Sequence, residues 1–189
     1  SGGYVGYANA TGVSALIATY GFGYIGVYNS GSVTATAEDN ATGILAQSYG
    51  APYGGYVYVG NSGSVDASAI GGYYAAATGV EMDGYGLSAY NSGSISATAD
   101  GAYTGYAFGI DMSADYYAEL YNAAGGSIEA SASGYYVAVA EGAHLNAFYT
   151  DVYSDGSISA SATADPYYGV AVAIGVNSYA YDADVVLGA

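Results

Sequence analysis

Short segments that alternate apolar and polar residues recur along the whole chain, and each is bounded by Gly, Asn, Ser or Asp. In the segment from Ser32 to Ala37, the Val and Ala side chains share one side of an extended backbone, and the hydroxyl side chains share the other. No stretch sustains the 3.6-residue apolar spacing that is typical of a helix. The pattern therefore predicts an all-β protein that is built from short strands.

Three motifs recur in a fixed order with a period of 30–36 residues. The first, N-S-G-S-[VI]-x-A-x-A, begins at Asn29, Asn61 and Asn91, with degenerate copies from Gly126 and Gly156. The second, A-x-G-[VIA], has its glycines at positions 12, 43, 79, 109, 142 and 175, and the third is a segment that ends just before each Asn. Three strands and three turns account for each period, so every period predicts one coil of a three-sided parallel β-helix.

The chain of 189 residues corresponds to about six such coils in a single β-solenoid domain, residues 1–189. Ser1-Gly2-Gly3-Tyr4-Val5 aligns with a degenerate first-motif strand, and the last coil stops after two strands. Neither end carries a capping signature, so the sequence predicts a solenoid that is uncapped at both ends. This favours head-to-tail stacking of chains, although excision from a longer solenoid would produce the same ends. The predicted end-to-end interface contains Val5, Val13, Val176, Val185 and Leu187.

Asn29, Asn61, Asn91 and Asn122 fall at one predicted corner of successive coils. Because Asn tolerates left-handed backbone geometry and its amide can bind the amide of the next coil, we interpret this set as a structural corner ladder. Tyrosines recur just before this corner, on positions that strand alternation turns outward. They stabilise neighbouring coils by stacking or make lateral contacts between fibres. The predicted outward columns contain Tyr24, Tyr28, Tyr56, Tyr90, Tyr117, Tyr121, Tyr149 and Tyr153.

Charge composition excludes several classes of function. The chain has no Lys or Arg, 16 Asp or Glu and one His, for a formal net charge of −16. Nucleic-acid binding depends mainly on Lys and Arg, so we expect no nucleic-acid partner. No apolar run approaches the roughly 18 residues of a spanning helix, so we expect no membrane insertion. Because Cys is also absent, disulfides and thiolate metal sites are excluded.

Catalysis and cofactor binding receive little support from the sequence. The lyases known on β-helices typically use an Arg or Lys base, and this chain has neither. A carboxylate pair such as Asp111 and Asp115 is the hydrolase alternative, whereas His144 is interpreted as an isolated surface residue. No cofactor is predicted. Ca²⁺ at turn carboxylates is the single alternative, and no Ca²⁺-loop motif accompanies them.

The N-S-G-S-[VI]-x-A-x-A and A-x-G-[VI] repeats resemble the passenger β-helices of bacterial autotransporters and filamentous-haemagglutinin-like adhesins. The resemblance covers essentially the whole chain, at the level of a repeat pattern. It implies a right-handed coil, secretion to the bacterial surface, and an adhesive or structural role. The sequence departs from that pattern because it shows no signal peptide, no C-terminal export barrel, and no Lys or Arg.

Together these features predict a non-enzymatic, extracellular or cell-surface protein. The predicted function is that of a structural subunit of a bacterial filament or fibre, a homopolymer formed by head-to-tail stacking and bundled laterally. The alternative is a carbohydrate- or surface-binding adhesin segment that belongs to a longer autotransporter-type passenger, with glycans as its partners.

Overall fold

The structure, a computed structural model, describes residues 8–18, 23–49 and 55–188. Strands account for most of this part of the chain, and no helix occurs in it. In chain order the strands are β1 (Asn9–Ala18), β2 (Tyr24–Asn29), β3 (Ser32–Ala37), β4 (Asn40–Tyr49), β5 (Tyr56–Asn61), β6 (Ser64–Ile70), β7 (Tyr74–Asn91), β8 (Ser94–Asp100), β9 (Thr104–Asn122), β10 (Ser127–Gly134), β11 (Val137–Asn146), β12 (Tyr149–Ser154), β13 (Ser157–Ala164), β14 (Val170–Tyr179) and β15 (Asp182–Leu187).

The strands form three parallel stacks, which we call the first, second and third faces. The first face runs β1-β4-β7-β9-β11-β14, and the third face runs β3-β6-β8-β10-β13. The second face contains β2, β5, the C-terminal parts of β7 and β9, then β12 and β15. The predicted three-sided parallel β-helix is confirmed, with six rungs on two faces and five on the third within the described residues.

The strands differ from the sequence prediction in one respect. Three separate strands were expected in every coil, but β7 and β9 each run continuously from the first face onto the second. Only a register irregularity between Gly84 and Gly86 marks the corner. The predicted strand from Ser1 to Val5 lies outside the described residues.

The interior explains how so few large aliphatic residues can form a core. One cluster of alanines fills the region between the third and first faces, and it includes Ala67, Ala97 and Ala107. A second cluster of larger side chains, among them Ile44, Met112 and Leu120, fills the space beside the second face. Because the alanine region is narrow, opposing sheets approach closely there, and backbone ladders supply much of the cohesion.

The glycine of the A-x-G-[VIA] motif is required by this close approach. A Cβ built on Gly79 would lie 2.5 Å from the carbonyl oxygen of Gly109 and 2.5 Å from Cγ2 of Ile95 on the third face. The same contact with the following rung recurs along the motif, for example 2.7 Å from Gly12 to the Gly43 oxygen. The second motif is therefore a packing motif, since in each rung that is followed by another a side chain at this glycine would displace backbone.

Candidate functional site

The corner between the second and third faces carries a continuous ladder of amide hydrogen bonds. Nδ2 of Asn29 donates to Oδ1 of Asn61 at 2.8 Å, and the next two steps, to Asn91 and Asn122, are 2.9 Å each. Nδ2 of Asn122 then donates to Oγ of Ser154 at 3.1 Å. The ladder thus joins five successive coils.

Each ladder amide also anchors the backbone of its corner. Nδ2 of Asn91 donates a second hydrogen bond to the Ser127 carbonyl at 3.1 Å, and its Oδ1 accepts from the Gly93 N–H at 3.3 Å. The side chains of Asn61, Asn91 and Asn122 are 0–1% exposed. No non-glycine residue of the described chain has a positive φ, so left-handed backbone is not the reason for Asn at this corner. The reason is side-chain hydrogen bonding inside the solenoid.

The tyrosines of the second face lie on its outer side. Tyr28 is 73% exposed and Tyr24 62%, whereas Tyr117 and Tyr149 are half-buried. The remaining members of the predicted columns are exposed to intermediate extents: Tyr56, Tyr90, Tyr121 and Tyr153. The rings of Tyr90 and Tyr121 stack with their centroids 5.5 Å apart and their planes 5° apart. The column that contains Tyr90 and Tyr121 therefore positions tyrosines for contact between coils.

One tyrosine of these columns is held by a carboxylate. The hydroxyl of Tyr117 donates to Oδ2 of Asp151 in the next coil at 3.0 Å. Burial, followed by this hydrogen bond, raises the pKa of Tyr117 well above its ordinary value. Tyr117 is therefore a fixed neutral donor in a part of the face that also carries Glu119.

Two further aromatic columns run along the other corners. At the corner between the first and second faces, Tyr85, Tyr116, Phe148 and Tyr181 stack in order, with centroid distances of 5.4, 6.5 and 5.1 Å. We call this set the corner aromatic column. The columns predicted from the sequence contain none of these four residues, although their spacing of about one coil was the available signal. At the corner between the third and first faces, Tyr73, Tyr103 and Tyr136 form a second stack.

The predicted end-to-end residues occupy the outermost described rungs. Val13 and Val176 are half-buried and pack against the core from opposite ends. Val185 and Leu187 of β15 are 46% and 60% exposed. Val5 lies outside the described residues.

The glycines of the A-x-G-[VIA] motif have little free space around them in the inner rungs and more free space in the last rung of the first face. In inner rungs a Cβ would collide with the next carbonyl, as at Gly142, 2.6 Å from the Gly175 oxygen. At Gly175 in β14, the only atom within 4 Å of such a Cβ is the Ile158 oxygen at 3.6 Å. The space beyond Gly175 is the space that a further rung would fill.

His144 is not the isolated surface residue that the sequence predicted. Its half-buried ring lies between Phe108 and Tyr179, with centroid distances of 5.8 and 5.7 Å. Its Nδ1 lies 2.6 Å from Oε2 of Glu141, and Nδ2 of Asn177 donates to the same oxygen at 3.0 Å. The prediction failed because Asn177 is 36 positions from Glu141, and only the register of β11 and β14 brings Asn177 to this cluster.

Several carboxylates lie beside His144 and Glu141 on the outer side of the first face. Glu81, Asp111 and His144 occupy one register column of β7, β9 and β11, with Asp83 close by. Burial raises the pKa of Glu81, Asp83 and Asp111, and neighbouring carboxylates raise it further. The His144 ring partly offsets this effect at Asp111. Even so, no three such side chains in the described ranges are arranged to hold a metal ion.

An open groove of about 480 Å³ lies next to these carboxylates. Tyr74, Tyr106 and Phe108 contribute aromatic walls, and Glu81 and Asp111 contribute acceptors. The rings of Tyr74 and Tyr106 are 5.5 Å apart. Aromatic faces beside hydrogen-bond acceptors offer an amphipathic surface that suits a polyhydroxylated ligand.

These features define the class of the protein as a three-sided parallel β-solenoid with a buried amide ladder and with aromatic columns at its surface. No protein-family model, curated protein sequence or solved structure matches the chain. Across the ranges that the structure describes, no helix has the length and apolar character needed to cross a membrane.

Proposed function

We propose that this solenoid is a non-catalytic structural subunit that stacks head to tail with copies of itself into a filament. The observation that carries the proposal is the repetition of one register within each face, from rung to rung. Each face pairs in parallel with the same inward positions aligned from coil to coil. A rung that pairs with its own successor in this way is compatible with a rung from a second copy.

The side chains of the outermost rungs support this stacking. Val13 of β1 and Val176 of β14 belong to the same inward column, as do Val27 of β2 and Val185 of β15. Joining one end to the other would therefore place aliphatic side chains on aliphatic side chains. Six coils at strand spacing would advance the filament by about 29 Å per subunit.

The proposed location is outside the cell, at or beyond a bacterial surface. The repeat pattern resembles secreted passenger β-helices, and the chain offers no cleavage site to Lys- or Arg-directed proteases. An all-acidic surface also keeps unassembled subunits soluble. Both properties suit a durable extracellular material.

Gly175→Ala tests the stacking without disturbing the subunit. The new methyl has room in the monomer, but in a filament it would meet the backbone of the next copy as Gly12 meets Gly43. We expect the wild-type chain to form fibres with an axial repeat near 29 Å in electron micrographs. We expect Gly175→Ala to remain monomeric by sedimentation, with an unchanged unfolding midpoint.

The matched control is Val170→Ala, on the outer side of the same strand, which should polymerise normally. A wild-type chain that stays monomeric at high concentration would contradict the proposal. Equal polymerisation of Gly175→Ala and wild type would contradict the proposed end-to-end contact.

The first-face groove favours a second candidate function, the binding of carbohydrate at a surface. Its aromatic walls and carboxylate acceptors are the chemistry with which proteins hold sugar rings. Calorimetric titration with a panel of soluble polysaccharides tests it. Tyr106→Ala should abolish binding, and Tyr167→Ala, at a ring that is 87% exposed and outside the groove, should not. Absence of binding by the wild-type chain would reject this function and leave the filament proposal intact.

A further inference from the structure

The tyrosines of this chain have a chemical property that is separate from their packing. Oxidation can join two tyrosine side chains by a covalent bond. The sequence has 26 Tyr but no Cys and no Lys. Neither disulfides nor lysine-derived cross-links can therefore staple its coils. The phenol rings of tyrosine remain as candidates for a covalent cross-link. Which of them can be joined depends on which rings the fold holds face to face.

Among the residues that the structure describes, Tyr73 and Tyr103 are the pair of stacked rings that lie closest together. Their ring centroids are 4.0 Å apart and their planes 25° apart. Both rings are open to solvent, with Tyr73 68% and Tyr103 37% exposed, so a reagent can reach them. Tyr136 continues the stack at 5.4 Å from Tyr103.

The backbone at this corner holds the two tyrosines in register. The Tyr103 N–H donates to the Tyr73 carbonyl at 3.1 Å, and Ala102 N–H donates to the Gly72 carbonyl at 2.8 Å, so adjacent coils stay aligned. Tyr73 and Tyr103 nevertheless lie just outside β7 and β9. By contrast, Tyr90 and Tyr121 lie within strands, where the ladder holds their rings 5.5 Å apart. The rings of Tyr73 and Tyr103 therefore start closer to bonding distance than those of Tyr90 and Tyr121.

We propose that Tyr73 and Tyr103 form an intramolecular dityrosine cross-link when the protein meets a peroxide and a haem peroxidase. Each phenol loses one electron and one proton, and the two phenoxyl radicals join through ring carbons ortho to their oxygens. The hydrogens on those carbons move to the oxygens, which restores both phenols. The peroxide accepts the two electrons and two protons and becomes two molecules of water.

The bond staples two neighbouring coils through residues that are 30 positions apart. Like a disulfide, it would restrict the unfolded chain, so the folded state gains stability. A loop of this length corresponds to a rise in the unfolding midpoint of about 10 °C. This site does not depend on filament formation, since both rings belong to one chain.

The test oxidises the dilute wild-type protein with hydrogen peroxide and a haem peroxidase. The expected product is a monomer that has lost two hydrogens and shows dityrosine fluorescence. Cleavage with an aspartate-directed protease and mass spectrometry should map the link to Tyr73 and Tyr103. Its unfolding midpoint should rise as stated above.

Tyr73→Phe is the informative variant, because its ring still stacks but cannot become a phenoxyl radical. We expect it to lose the mapped link and the rise in midpoint. Tyr167→Phe, at a ring that is 87% exposed, is the matched control and should retain both. Links that form mainly between chains, or equally among exposed tyrosines, would overturn the proposal, as would undiminished monomer fluorescence in Tyr73→Phe.

Discussion

The Asn ladder and the corner aromatic column run along two corners of this solenoid, and they stabilise it by different means. The Asn ladder is buried, with Asn91 fully enclosed and bonded to Asn61 and Asn122. The corner aromatic column lies at the surface, where Tyr116 is 45% and Tyr181 82% exposed. Amides in the first ladder each donate and accept in a fixed direction, whereas rings in the second meet through equivalent faces. The buried ladder therefore defines register, and the exposed one adds contact area.

Because of this difference, we expect a substitution in the middle of the Asn ladder to lower the free energy of unfolding more than one in the middle of the corner aromatic column. Asn91→Leu keeps the branched shape of the side chain but removes a donor from Asn122 and an acceptor from Asn61, in a site closed to water. Each buried polar group that loses its partner costs 1–3 kcal/mol, so we expect a loss of about 3 kcal/mol. Thermal unfolding should show a midpoint about 10 °C lower.

Asn29→Leu is the control for that change, because Asn29 is at the end of the ladder and only half-buried. It should cost clearly less than Asn91→Leu. Equal costs at the two positions would mean that the amides act singly and not as a ladder.

A substitution in the middle of the corner aromatic column should lower the free energy of unfolding less than Asn91→Leu does. Tyr116→Ala removes a ring that stacks on Tyr85 and on Phe148. Aromatic pairs contribute about 0.5–1.5 kcal/mol each, and this surface site stays hydrated, so we expect a loss of about 1–2 kcal/mol. Chemical denaturation measures it, with Tyr116→Phe expected to be neutral. A cost that matched Asn91→Leu would remove the distinction between the two ladders.

The Asn ladder could be predicted from the sequence, and the aromatic column largely could not, for a physical reason. Buried corner positions admit only side chains that can hydrogen-bond to the next coil, so Asn29, Asn61 and Asn91 recur with the same neighbours and Ser154 takes the fifth position. Exposed positions tolerate exchange of Tyr for Phe148, and their spacing shifts with insertions at the corners. The hydrogen bond from Asn177 to Glu141, beside His144, depends on the register of β11 and β14, which the sequence pattern leaves undetermined.

Neither ladder carries charge, so the pH dependence of stability should come from the first-face carboxylates. The pKa values of Glu81, Asp83 and Asp111 are raised in the folded state, so that state binds more protons than the unfolded chain. Stability must then fall as the pH rises between the ordinary and the raised pKa values. We expect the unfolding midpoint to increase as the pH is lowered from 7, and to stop increasing near pH 4.

Glu81→Gln combined with Asp111→Asn should flatten that profile, while Asn91→Leu should lower it without changing its shape. Asp83 remains in the double variant, and its pKa is raised by burial and by the neighbouring Asp115, so a residual slope is expected. A midpoint that falls steadily on acidification from neutral pH would contradict this assignment.

The smallest effect should come from the single hydrogen bond between Tyr117 and Asp151, which belongs to neither ladder. Tyr117→Phe keeps the ring and removes the 3.0 Å bond at a half-buried site, so we expect a loss of about 0.5–1 kcal/mol. Because the pKa of Tyr117 is raised, its share of stability is present below pH 10 and is lost as the hydroxyl ionises. Spectrophotometric titration should lose its last-ionising tyrosine in Tyr117→Phe, whereas Tyr149→Phe, one rung away, should retain it. An unchanged titration would show that Tyr117 ionises with the other tyrosines, and that Asp151 does not hold its proton.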